Sequence, residues 1–203
     1  MRNVSIQNNP VHSCAVGILF DSTGSPTSGG WNRVLDTIVR NHLGNGQPNS
    51  GAGVLLVGGS GKLELKLGQL RDNDGPGLRV VAPPPGGVSA TIRVVGVSVA
   101  SNGRGTQADG RSALEFAGAS DVVVEGNDIA GHVGLTGLVD GGAVRLDAVA
   151  GASILCNRVR DGEHGVAVLN GTTGVSVLSN RFTGNTVTAL TPAGPPRAGA
   201  ATG

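Results

Sequence analysis

The sequence predicts an all-β chain wound as a right-handed parallel β-helix, a solenoid of about seven coils. Three observations predict it. The pattern apolar-x-apolar-x-x-Asn-x-apolar recurs as "VVVEGNDI" (122–129), "ASILCNRV" (152–159) and "VSVLSNRF" (175–182). A second apolar pair follows each copy after a variable loop, as in "GAVRL" and "GVAVL". Finally, 203 residues contain 36 glycines, 14% charged residues and 2% aromatics. That composition is far from an average domain and suits many short strands joined by tight turns.

The first coil is read from Val4, Ile6, Asn9 and Val11, and closes on Ile18 and Phe20. The second takes Asp36, Ile38, Asn41 and Leu43, then Val54 and Leu56. The third has Leu63, Leu65 and Leu70 with Gly68 in the Asn slot, then Leu78 and Val80. The fourth has Ile92, Val94 and Val99 with Val97 in that slot, then Leu114 and Phe116. Coils five to seven carry Asn127, Asn157 and Asn180 and close on Val144 with Leu146, Val166 with Val168, and Val187 with Ala189.

Period-2 apolar pairs this short are strands, and Gly, Asn and Asp interrupt them too often for helices. One repeat cannot bury its own apolar side, whereas stacked repeats can, each strand pairing with its equivalent in the next coil. Parallel crossovers of this kind are right-handed. At about 4.8 Å per coil, seven coils make a rod of roughly 34 Å. The Asn slot marks a sharp corner. Asn is expected to adopt the left-handed backbone there and to hydrogen-bond its amide to the Asn one coil away, forming a ladder. Gly68 is expected to suit the same conformation, and the corner at Val97 to be distorted. The helix is assigned to residues 1–190. The Pro, Gly and Ala-rich "TPAGPPRAGAATG", 191–203, is read as a disordered tail. Nothing before Val4 resembles a capping helix, so the chain is expected to be part of a longer protein or a unit of an assembly that supplies further coils.

On these motifs, with "VSIQNNPV" and "GILF", the chain resembles the right-handed parallel β-helix proteins of the pectate-lyase-like superfamily. The resemblance implies the fold, a glycan or polysaccharide partner, and an extracellular or cell-surface location. It implies one of two function classes. The first is a non-enzymatic segment of a secreted or surface protein, acting as scaffold, adhesin or spike. The second is a polysaccharide lyase or glycoside hydrolase.

The bulk numbers narrow the partners. A net charge of +1, with no basic run interleaved with aromatics, argues against nucleic acid. No apolar run approaches the length of a membrane span, about 18 residues or more, and "MRNVSIQNNP" has no apolar signal-peptide core. Cys14 and Cys156 have no zinc-ligand spacing. Five coil steps place them roughly 24 Å apart along the rod, beyond disulfide reach. Both are expected to be free, with Cys156 the more buried. His12, His42, His132 and His164 are read as loop residues with no shared spacing, and no metal or other cofactor is expected.

Candidate chemistry sits between the late apolar pairs. Leu19, Leu55, Arg79, Glu115, Arg145 and Ala167 should form one outward column. Alternating charge suits a salt-bridge ladder on a solvated face. Under the enzymatic reading, Glu115, Arg145 and Asp147 are the catalytic candidates. Glu115 and Asp147 are expected about 8 Å apart, a separation suited to inverting hydrolysis, with Arg145 between them binding a uronate or a developing charge. Trp31 is placed in the Gly, Ser and Pro-rich loop after Asp21, far from that patch, so no aromatic platform for a sugar ring is expected beside Glu115.

Overall fold

The computed structural model describes residues 5–7, 10–12, 14–21, 30–45, 47, 49–58, 61–85, 89–105, 112–132, 142–185 and 190–191. Among them every regular element is a strand. The strands form three seven-stranded sheets in which each strand lies beside its equivalents from the coils before and after, and every pairing is parallel. The chain is a parallel β-helix of about seven coils.

The first sheet contains Ser5–Gln7, Trp31–Leu35, Lys62–Lys66, Thr91–Val95, Asp121–Glu125, Ala150–Leu155 and Thr173–Leu178. The second contains Pro10–His12, Ile38–Arg40, Gln69–Arg71, Ser98–Ala100, Asp128–Ala130, Arg158–Arg160 and Arg181–Thr183. The third contains Ile18–Asp21, Val54–Val57, Leu78–Val80, Leu114–Ala117, Gly142–Asp147, His164–Leu169 and Leu190–Thr191. Alternate residues point inward, as the pleat requires. Leu63, Ile92, Val122 and Ala152 share one register, Leu70, Val99, Ile129 and Val159 another, and Leu78, Leu114, Val144 and Val166 a third. These rows meet along the axis in one continuous apolar core.

The register corrects the second coil. Val34 pairs with Leu65 and Val39 with Leu70, so this coil begins at Asn32, four residues before the expected Asp36. A polar Asn32 in an inward slot had hidden the match. Thr37, buried, holds the corner, and its hydroxyl donates to the Leu35 carbonyl at 2.8 Å. The last strand is Leu190–Thr191, with Leu190 opposite Val166. Val187 and Ala189, expected in that role, lie outside the described residues, as do 192–203.

The corners also differ in detail from expectation. The left-handed residue is the one before the Asn slot: Asp36, Leu67, Gly96, Gly126, Cys156 and Ser179 have φ between 46° and 64°. The slot itself points inward. Asn157 Oδ1 accepts from Asn127 N and Nδ2 at 3.0 and 2.9 Å, and Asn180 Oδ1 accepts from Asn157 N and Nδ2, both at 2.9 Å. Gly68 is glycine for a different reason: a Cβ there would stand 2.5 Å from the Thr37 carbonyl oxygen. The Val97 corner is not distorted. Gly96 takes the turn, Val97 N donates to Asn127 Oδ1 at 2.8 Å, and the flanking strands keep register.

A second corner repeats this design between the second and third sheets. Asn41, Asp72, Ser101, Gly131, Asp161 and Gly184 have positive φ. Each precedes a member of the row His42, Asn73, Asn102, His132, Gly162 and Asn185, always three residues after the inward residue of the second sheet. Asn73 Nδ2 donates to Asn102 Oδ1 at 2.6 Å, and His42 N to Asn73 Oδ1 at 3.2 Å. His42 and His132 therefore share a spacing after all, and both are fully buried. His164 is likewise a buried strand residue, not a loop residue. Glycine makes room for this row: a Cβ on Gly53 would lie 2.7 Å from the Gly77 carbonyl oxygen and 3.0 Å from Asn73 Nδ2.

Candidate functional site

The expected outward column exists. Leu19, Leu55, Arg79, Glu115, Arg145 and Ala167 are successive register partners across the third sheet. Its environment differs from the solvated face that the charge pattern suggested. Arg79 and Glu115 are each only 7% exposed, and Leu55 and Ala167 are also buried.

The buried charges are joined in a chain of contacts. Arg79 Nε donates to Glu115 Oε2 at 2.8 Å, and Arg79 Nη1 to Asn49 Oδ1 at 3.2 Å. Arg145 Nη1 stands 3.9 Å from Glu115 Oε1, while Arg145 Nη2 donates to Asp147 Oδ2 at 3.1 Å. Asn170 Nδ2 donates to the other Asp147 oxygen at 2.7 Å. The structure thus brings Glu115, Arg145 and Asp147 together as the sequence predicted, with Arg145 bridging the two acids. Removing two ions from water costs several kcal/mol each, so such an array persists only when every charge has a close partner.

Arg79, Glu115 and Arg145 of the column line a cleft of about 300 Å³ together with Asp147, Asn49, Val81 and Ala82. Burial pushes the Glu115 carboxyl above its ordinary value, against the opposing pull of Arg79 and Arg145. A carboxyl raised in this way is the type that donates a proton in acid catalysis. Its would-be partner is differently placed, because both Asp147 oxygens already accept hydrogen bonds.

Asn49 and Asn170 were not singled out from sequence. Both have positive φ, at 64° and 43°, and Asn170 precedes Gly171, a pairing typical of tight turns. That signal marks a turn but does not say that its amide will face a carboxylate. Trp31 is not a loop residue: it opens a strand of the first sheet, on a different face from Glu115. The Arg93 guanidinium lies 4.9 Å and Lys62 Nζ 5.9 Å from its ring centre, so its π face already attracts cations.

Both cysteines are free, and both are exposed. The expected burial of Cys156 fails because Cys156 is the left-handed residue that turns outward so that Asn157 can turn in. Among the described residues no group of three or more His, Cys, Asp or Glu side chains is placed to hold a metal ion, and no helix is long and apolar enough to cross a membrane. No family model, curated protein or solved structure matches the chain. The functional reading therefore rests on the site itself.

Proposed function

We propose that this chain is a non-enzymatic right-handed β-helix segment of a secreted or surface protein, serving as scaffold, adhesin or spike, with a glycan as its partner. The pectate-lyase-like resemblance of the repeats supports the class. The observation that carries the non-enzymatic reading is the engagement of Asp147, whose two oxygens are held by Arg145 and Asn170. Inverting hydrolysis needs a second carboxylate that positions a water, and here one acceptor site on each Asp147 oxygen is already taken by Arg145 or Asn170. The arginines are engaged as well: Arg79 meets Glu115 and Asn49, and Arg145 meets both acids. A ligand carboxylate would have to compete with these partners for Arg79 and Arg145, although the buried Arg145 Nε–H meets no acceptor among the described residues.

One observation favours a second reading, a polysaccharide-active lyase or glycoside hydrolase. Glu115 has a raised carboxyl and lines a cleft. Incubating the unmodified chain with neutral and acidic polysaccharides distinguishes the two. No new reducing ends or unsaturated products are expected. Reproducible cleavage that disappears in Asp147→Asn, with folding intact by circular dichroism, would establish the enzymatic reading. Glu115→Gln is the poorer probe, because removing one charge from a buried pair costs about 3 kcal/mol of stability by itself.

A further inference from the structure

Arginine recurs in one outward row of the second sheet. Arg40 and Arg71 are direct register partners on adjacent coils, and Arg160 lies in the same row three coils further on. Their surroundings differ. Arg160 is neutralised twice: its Nε and Nη2 donate to Asp128 at 3.3 and 3.2 Å, and Nη1 lies 3.6 Å from Asp161. Arg40 and Arg71 have no such partner among the described residues. Their Nε–H groups are shielded from solvent and meet no hydrogen-bond acceptor there.

The register explains the contrast. The Asp128 that serves Arg160 sits one coil back and two residues earlier in the strand; the equivalent position for Arg71 is Ile38, which is apolar. Nearby acids are committed elsewhere. The Asp72 carboxylate pairs with Arg104 at 3.4 Å, and Asp74 accepts from the Gly44 amide at 3.0 Å. Like charges directly opposite each other in a sheet destabilise it. A shielded N–H donor with no acceptor adds a further cost. Two arginines whose backbones lie one strand spacing apart, about 4.8 Å, each with an Nε–H short of an acceptor, suit one oxyanion held between two planar forks.

We propose that Arg40 and Arg71 form a binding site for an oxyanion, a sulfate, phosphate or carboxylate group, on the outer face of the second sheet. The site is independent of the Glu115 column, which lies on the third sheet. The anion accepts from the guanidinium N–H groups of both residues, removes the repulsion between them, and links two consecutive coils. Arg160, with its own carboxylates, does not take part.

The test follows the arginine Nε–H signals of the ¹⁵N-labelled protein during titration with inorganic phosphate and sulfate at constant ionic strength. Chloride is the control, and a sulfated oligosaccharide forms a second arm. Saturable shifts are expected at Arg40 and Arg71 and not at Arg160. Arg40→Gln and Arg71→Gln should each weaken binding at least about tenfold. If the oligosaccharide binds more tightly than the free ions, the group belongs to a glycan; if it does not, the ligand is the free ion, and either result supports the site. Shifts absent from both residues, or equal at Arg160, would overturn the proposal. So would unchanged affinity in folded variants. The titration of the unmodified protein decides the matter even if a variant fails to fold.

Discussion

The two corners of each coil use one backbone device and fill it differently. In both, a left-handed residue turns the chain and the next residue faces inward, with a polar side chain except at Gly68, Val97 and Gly162. At the first corner the later coils repeat Asn three times, at 127, 157 and 180, and each amide oxygen serves the donors of the coil before. At the second corner the row reads His42, Asn73, Asn102, His132, Gly162, Asn185. The hydrogen bonds there are less uniform: His132 Nδ1 lies 3.4 Å from the Asn102 carbonyl and has no oxygen to offer. The difference shows that the geometry belongs to the backbone, while uniform side chains convert a stack of turns into a continuous run of bonds.

The largest effect should come from breaking the uniform row at its centre. Asn157→Ala deprives Asn127 N and Nδ2 of their acceptor, removes the side-chain donor to the Val124 carbonyl, and leaves Asn180 Oδ1 with the backbone N of residue 157 alone of its two donors there. With Asn157 2% exposed, the loss should be about 4 kcal/mol in denaturant unfolding. Asn180→Ala, in the more exposed last coil, should cost only about 1 kcal/mol, because water can replace its bonds. Equal losses at the two positions would mean that the row does not act as a connected unit.

Next comes pH at the second corner. Burial pushes the His132 imidazole down from 6.5 to about 4, against the smaller effect of hydrogen bonds to the Asn102 and Val99 backbone. The unfolded chain therefore binds a proton that the folded chain resists. The stabilising contribution of neutral His132 is complete above about pH 6.5 and falls by about 3 kcal/mol as pH drops to about 4. His132→Asn, which restores the first-corner chemistry, should flatten that part of the acid limb. Unfolding midpoints for both proteins across this window check it, and parallel curves would place the acid sensitivity elsewhere.

The smallest effect concerns the turning residues. Leu67 carries a φ of 57° with its side chain 62% exposed, whereas Asn41 holds the same conformation at the second corner. Leu67→Gly should stabilise by about 0.5 kcal/mol and Asn41→Gly should be nearly neutral, because Asn already tolerates this conformation. Matched melting curves measure both.

Much of this was legible in the sequence because a solenoid repeats its instructions. The apolar rows, the parallel pairing and the Arg79–Glu115–Arg145 column all follow from period 2 within a strand and about 30 residues between coils. The second corner was equally regular in spacing, but His, Asn and Gly alternate in it without order, so only position reveals it. The second coil misled for a related reason: Asn32 occupies an inward slot that apolar patterning assigns to a hydrophobic residue.

What the sequence determined alone was therefore the fold, the inward rows and the order of residues along each outward column. Burial of those columns was decided by tertiary structure. Spacing along a strand says which side chain is a neighbour, but not what lies above it. Glu115 and Arg145 were visible as register neighbours. That Glu115 is removed from water, that Asn49 and Asn170 reach the column from turns, and that Arg40 and Arg71 meet no such carboxylate as serves Arg160 among the described residues depend on segments meeting across coils. Desolvation is a property of that surrounding volume, and no one-dimensional pattern encodes it.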